Sequence, residues 1–155
     1  MSSATFIEDD FRAQAAQDNI THISTGVAVV RNGKVLVARR TAADFLGGNY
    51  ELPGGGVDDG ETIIESAIRE VAEETGLIVT KIITPFAGFD YSTDRKPRAR
   101  QINFVVEVKP GNVRLDPAEH DTYLWVDLAS LAELPMSDSM RQCVVSALEI
   151  IKKVN

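Results

Sequence analysis

The stretch that most constrains this chain runs from Gly55 to Leu77, GGVDDGETIIESAIREVAEETGL. A glycine-rich segment leads into an amphipathic helix, which the spacing predicts over residues 62–75. Thr62 and Glu65 stand at capping-box spacing, while Asp58, Asp59 and Glu61 suit the positive end of the helix dipole. Gly76 marks the stop. Residues three and four apart are neighbours on a helix, so Glu70, Glu73 and Glu74 share one face. They span an arc of about 100°, and Ile64, Ala67, Ile68 and Val71 fill the next sector. The acids therefore sit at the edge of a buried stripe, where they can line a cleft.

Like charges at this spacing destabilise a helix unless something compensates. A divalent cation does so, and hard carboxylate oxygens beside water and phosphate suit Mg2+ or Mn2+. Zinc is a poor match because the sequence holds no Cys/His cluster. Three glycines, Gly54 to Gly56, precede the helix and let backbone approach a ligand closely. Taken alone, EVAEE is most often a solvated helix face. A Gly triplet alone is likewise most often a turn, and its placement before the acidic helix is what makes it informative.

Composition narrows the function classes. A net charge of −7 argues against a general nucleic-acid surface, so any anionic substrate has to be met by metal and a few arginines. The single Cys143 excludes an internal disulfide and fits a reducing compartment. It stands beside Val144 and Val145 and reads as a core residue. No leader pattern opens MSSATFIEDD, and no apolar run reaches membrane-spanning length. We therefore expect a soluble cytoplasmic protein with no membrane partner and a single domain over residues 1–155, in which residues 1–20 form an extension of unassigned role.

Residues 9–18 read as a short helix or an arm. A strand from about Ile23 through TGVAVV meets Lys34–Arg40 across Asn32-Gly33, a preferred hairpin centre. Tyr50–Leu52 is a short strand and Pro53–Gly56 a loop. Strand segments follow at 77–80, 82–91, 101–108 and 123–126, with a polar loop at 92–98. Asp127 is placed to cap a helix over 128–134. A closing helix over 137–153 buries Met140, Val144, Ala147, Leu148 and Ile151. The expected class is α/β, with helices packed on a curved mixed sheet.

The full pattern G-x5-E-x7-R-E-V-x-E-E-x-G-L is matched at every fixed position, Gly55, Glu61, Arg69, Glu70, Val71, Glu73, Glu74, Gly76 and Leu77. A chance match in one chain is on the order of one in ten million. The chain thus resembles the Nudix hydrolases, closely over residues 26–78 and more loosely elsewhere. The resemblance implies an α/β/α sandwich and metal-dependent cleavage of a nucleoside diphosphate linked to a group X. It makes Glu70, Glu73, Glu74 and the Gly55 carbonyl ligands of Mg2+ or Mn2+, with Glu70 a candidate base. Arg69 is expected to orient the carboxylates by pairing with Glu65 and Glu73, and Glu61 to support the helix start.

The resemblance also places a distal acid shortly before Trp125, for which Glu119 is chosen over His120 and Asp121. Arg40, in ARRTAAD, is similar to a phosphate-binding arginine of the antimutator (MutT-type) branch. Arg100 and Arg98 are further candidates for the same contact. Asp138 falls where that branch carries a base-reading amide; an ionised acid accepts rather than donates, which weighs against purine or 8-oxopurine specificity. Phe45, Phe89 and Tyr91 are candidate base-stacking rings.

The expected substrate is a small nucleotide, foremost an NTP or dNTP. An ADP-ribose or nucleotide-sugar pyrophosphatase is the alternative. Mildly against it, that branch's proline about 15 residues beyond the box is missing, since residues 92–95 are Ser-Thr-Asp-Arg. The tyrosine linked to dinucleoside polyphosphate cleavage is missing too, Tyr91 falling slightly early. A catalytically silent nucleotide-binding module is disfavoured because every box acid is present. A homodimer is compatible with this reading.

Overall fold

The computed structural model describes residues 3–42 and 47–154. The elements run α1 (Ser3–Gln17), β1 (His22–Arg31), β2 (Lys34–Arg40), β3 (Tyr50–Glu51), β4 (Gly54–Gly56), α2 (Ile63–Thr75), β5 (Val79–Tyr91), β6 (Ala99–Val108), β7 (His120–Val126), α3 (Leu128–Leu131) and α4 (Asp138–Val154). Seven strands form one sheet whose main path is β3-β2-β1-β6-β5, with β4 paired to β1 and β7 paired to β2. The β1–β6 pairing is parallel and the other pairings are antiparallel.

Strand alternation sorts the core into two layers. Ala28, Val35, Val37 and Val105 face one side, where α4 lays down Cys143, Val144, Ala147, Leu148 and Ile151. Val27, Val29, Leu36, Phe104 and Val106 face the other, where α2 contributes Ile63, Ala67 and Val71. Successive side chains of a strand point to opposite faces, so a sheet covered on both sides needs near-continuous apolar strands. This is the α/β/α arrangement with a mixed sheet. It also explains why Val35–Ala38 is buried throughout, although KVLVARR reads as alternating.

Pairing between β1 and β2 is confined to the turn end, at Val30–Val35 and Arg31–Lys34, where Asn32 and Gly33 have φ of 53° and 74°. Beyond these rungs the two strands part. On the inner edge of the fork, β1 pairs with β4 and β2 with β3. Residues 50–56 thus cross from one prong to the other, and the Val27 amide donates to the Pro53 carbonyl (2.8 Å) on the way. The glycine segment is therefore a paired strand rather than the loop expected for it. At Gly54 (φ 156°) a Cβ would lie 1.9 Å from the Thr25 carbonyl oxygen, so the pairing needs glycine there.

Other departures have local causes. Segments 77–80 and 82–91 belong largely to one strand, β5, whose irregular register against β6 breaks the alternation a reader looks for. Its partner begins at Ala99, two residues before the expected start, and β7 begins at His120 rather than Tyr123. Helix α3 is a single turn, capped by Asp127, whose side chain accepts from the Ser130 amide (2.9 Å). The stretch 9–18, expected as a short helix or an arm, belongs to helix α1, which packs Phe11 edge-on against Phe104, ring centroids 6.4 Å apart. Glu8 on α1 accepts from the Ile63 amide at the start of α2 (2.6 Å), and Arg12 donates to the Glu61 carbonyl (3.0 Å). Among the described residues no helix is long and apolar enough to cross a membrane.

Truncating Leu148, 3% exposed between α4 and the sheet, is expected to cost about 2–5 kcal/mol in urea unfolding. Leu124→Ala on β7, where the side chain is 38% exposed, should cost less than about 1 kcal/mol. Equal losses would contradict the assignment of α4 to the core.

Candidate active site

Helix α2 starts with both halves of its capping box in place. The Thr62 hydroxyl accepts from the Glu65 amide (3.0 Å) and the Glu65 carboxylate from the Thr62 amide (2.9 Å). Glu65 is thereby committed to the cap, and the expected Arg69–Glu65 pair is not formed among the described residues. Arg69 instead grips Glu61 through Nε (2.7 Å) and Nη2 (3.0 Å). Its Nη1 reaches Glu70 (3.0 Å) and Glu73 (3.1 Å), and Nη2 also donates to the Gly56 carbonyl (3.1 Å). One planar guanidinium thus ties the glycine strand, the turn before α2 and two box acids together. The fork-like contact holds the Glu61 carboxyl below its ordinary range. Glu61 also accepts from the Asp58 amide (3.0 Å), which braces the turn.

The three box acids meet different surroundings. Glu74 is 6% exposed and accepts from the Gly54 amide at 3.0 Å. Burial pushes its carboxyl up to about 9, the Gly54 hydrogen bond opposing and the charges of Glu70, Glu51 and Glu119 adding to the rise. Burial also raises Glu70, against the pull of Arg69. The Glu73 side chain is 59% exposed and turned toward Arg69. At Gly55 a Cβ would fall 2.5 Å from Glu70 Oε1, so this carboxylate lies directly on the glycine strand.

The distal side closes from β7. One ligand atom each from Glu74, Glu119 and His120 lies within 4.8 Å of the others, so Glu119 comes to the buried box acid. Asp121 turns away to Arg39 (2.8 Å). His120 does not sit in an exposed loop: it is 2% exposed, and its Nε2 is 2.9 Å from Glu51 Oε2. Glu51 in turn accepts from Arg40 Nη1 (3.0 Å). The chain Arg40–Glu51–His120 therefore connects a strand-end arginine to the acidic cluster. Sequence reading missed Glu51 and the burial of His120, because the register shift between β2 and β7 at Arg39/Arg40 that brings them together leaves no local signal.

A cleft of about 460 Å3 opens beside this cluster, lined among others by Arg40, Tyr50, Glu51, Gly55, Phe89 and Tyr91. The Phe89 and Tyr91 rings are 5.9 Å apart and tilted by 53°. Phe45 lies outside the described residues. Arg100, at the start of β6 beside the cleft-lining Gln101, is not itself in the cleft wall; Asp90 (2.7 Å) and Asp18 (2.9 Å) hold it. Arg98, at φ 54°, carries the turn before β6. Asp138 opens α4, whose neighbouring Ser137 and Met140 line the cleft. Lys96 also lines it, a cation that the polar loop STDRKPR did not single out.

Buried carboxylates without a cation carry an electrostatic cost, and the donors gathered here are carboxylate oxygens, one carbonyl strand and one imidazole. Such a set fits a hard divalent ion such as Mg2+ or Mn2+, and Glu74 gains most from one.

The NUDIX domain family model matches residues 20–146. An RNA pyrophosphohydrolase of Gluconobacter oxydans is 35% identical over 121 residues, covering 67% of this chain and 70% of that protein. An ADP-ribose pyrophosphatase of Methanocaldococcus jannaschii is 35% identical over 109 residues, covering 68% of this chain but only 62% of that protein. A solved MutT NUDIX hydrolase from Burkholderia pseudomallei superposes with a TM-score of 0.60 at 27% identity, over 83% of this chain and 95% of that one.

Raised to about 9 from an ordinary 4.5, the Glu74 carboxyl stays protonated in the metal-free fold at neutral pH. Below the ordinary value both states hold the proton; above it only the unfolded chain releases it, so stability falls as pH climbs toward 9. The loss at pH 7 is about 3 kcal/mol. Glu74→Gln is expected to remove it: in EDTA the variant should melt higher than the parent at pH 7 and match it near pH 4. A lower melting temperature at pH 7 would contradict the burial argument.

Proposed function

The chain belongs to the NUDIX family of hydrolases, and from that premise we propose that it cleaves a nucleoside diphosphate linked to X, giving a nucleotide and phosphorylated X. The single observation that carries this reading is the buried Glu74 carboxyl against the Gly54 amide, with Glu70 and Glu119 beside it and an aromatic-walled cleft next door. A buried acid cluster of this kind is costly as architecture and is repaid only when a cation binds.

In this reading Glu70, Glu74, Glu119 and the Gly55 carbonyl hold Mg2+ or Mn2+, with Glu73 completing the set once it swings from Arg69. When bound, the metal neutralises the phosphates and lowers the pKa of an attacking water. The chain's own residues do the rest. Arg69 keeps the carboxylates aligned through Glu61 and Glu70. Glu70, lying on the glycine strand, is placed to accept the water's proton. Arg40, steadied by Glu51, faces the cleft with a cationic edge for a phosphate. Phe89 and Tyr91 offer faces for a base. Arg100 and Asp138 are removed from substrate contact by this reading, since the first is held by two carboxylates outside the cleft wall and the second leaves its neighbours to form the wall.

Both an NTP or dNTP and the alternative, ADP-ribose or a nucleotide sugar, place a diphosphate next to the acids. The one-domain expectation is supported by a single sheet that runs through the described residues. The RNA pyrophosphohydrolase and ADP-ribose pyrophosphatase activities of two relatives concern those proteins, and the net charge of −7 favours a small nucleotide here.

Glu74→Gln is expected to lower kcat by at least about 100-fold on whichever nucleotide is cleaved, with Mg2+ supplied in excess. Arg69→Ala should weaken Mg2+ affinity about 10- to 100-fold, read by titration calorimetry as well as by activity. Product identification from a panel of NTPs, dNTPs, ADP-ribose and nucleotide sugars names the bond cut. Undiminished turnover in Glu74→Gln would remove the assignment.

A further inference from the structure

A second cavity, of about 480 Å3, adjoins the cleft: Lys96 lines both, and of two consecutive glycines Gly55 lines the cleft and Gly56 the cavity. Its polar walls are Arg12 of α1, Thr21 and His22 at the start of β1, Asp58 and Asp59 before α2, and Lys96. Arg12, Ala15 and Ala16 precede residue 20, so this wall lies outside the segment matched by the family model.

Lys96 stands at the junction, its Nζ 3.1 Å from where a Cβ on Gly56 would lie. It forms no ion pair among the described residues, although carboxylates are abundant nearby. The turn that carries it is braced. The Lys96 amide donates to the Thr93 hydroxyl (2.9 Å), the Thr21 hydroxyl to the Pro97 carbonyl (2.6 Å) and the Thr21 amide to the Arg98 carbonyl (2.9 Å). A strongly hydrated ammonium held on a fixed turn between two hollows is suited to an anion that passes from one to the other.

We propose that the two cavities form one substrate channel, in which the phosphates cross Gly56 under Lys96 and a sugar-type X group fills the cavity walled by α1. This rests on the pyrophosphohydrolase reading above and specifies its substrate class. The mixed charge of the second cavity decides the chemistry. A terminal polyphosphate placed there meets the carboxylates of Asp58 and Asp59, which is repulsive. Ribose or hexose hydroxyls donate hydrogen bonds to the same carboxylates, which only accept. The nucleoside diphosphate sugars, ADP-ribose among them, match this division of charge.

Steady-state kinetics on ADP-ribose and ATP with Mg2+ tests the channel. Wild-type protein should favour ADP-ribose in kcat/KM by at least about tenfold. Ala16→Trp, an exposed helix position facing the cavity, should lower that ratio about tenfold by filling the space. Lys96→Met should raise KM for ADP-ribose about tenfold with kcat within about threefold, and Lys96→Arg should recover it. Preference for ATP, or a ratio indifferent to Ala16→Trp, overturns the proposal. Calorimetric titration of both nucleotides reads the cavity without turnover. A wild-type protein that cleaves neither overturns the hydrolase reading, whereas ADP-ribose affinity lost in Ala16→Trp upholds the channel and affinity unmoved by it overturns the channel.

Discussion

Arg69 is the contact around which the site is organised. Its guanidinium spans Glu61, Glu70, Glu73 and the Gly56 carbonyl, so it ties the helix, the turn before it and the glycine strand together. Five fixed donors on a plane suit this task, and a lysine ammonium could not reproduce the fork. With the carboxylates held in place, only Glu74 is driven deep into the protein, against the Gly54 amide. The apolar stripe of α2 supplies that force: Ile63, Ala67 and Val71 bury against the sheet and bring the neighbouring acid with them.

A second constraint is the fork between β1 and β2. A regular hairpin would zip to its end and leave no opening. Here residues 50–56 fill the split, pairing with β2 through Tyr50 and Glu51 and with β1 through three glycines. Backbone carbonyl and amide groups are thereby presented to the acids at a place where side chains would intrude. The same split places Glu51 against His120 and Arg40, so the acidic cluster and the cleft share one wall. The acidic cluster at the mouth of the fork and the cleft beside it are consequences of one pairing choice.

Helix α1 extends this plan. It covers Phe104, supplies Glu8 to the start of α2 and Arg12 to the turn. An element read from the sequence only as a helix or an arm thus supports the box from outside. Its low amphipathicity explains why its role was not visible: among the described residues its contacts are a few specific polar ones, the Phe11 ring and the buried Ala15, not a periodic stripe.

What the sequence alone determined is local. The capping box at Thr62 and Glu65, the stop at Gly76, the Asn32-Gly33 turn, the α4 stripe and the shared face of Glu70, Glu73 and Glu74 follow from spacing on a helix or from backbone tolerance, and these rules act within a few residues. Tertiary structure decided everything that depends on partners distant in the chain. Glu65 and Glu73 are equally spaced from Arg69, yet Glu65 is consumed by the cap while Glu61, from the preceding turn, takes the guanidinium. Arg40 and Arg100 are similar strand-end arginines in sequence, yet one faces the cleft and the other is held by Asp18 and Asp90. His120 reads as a polar loop residue and is buried, because strand pairing carries it beneath Glu51. Helical periodicity encodes which residues share a face; it carries no information about which carboxylate another strand will deliver to that face.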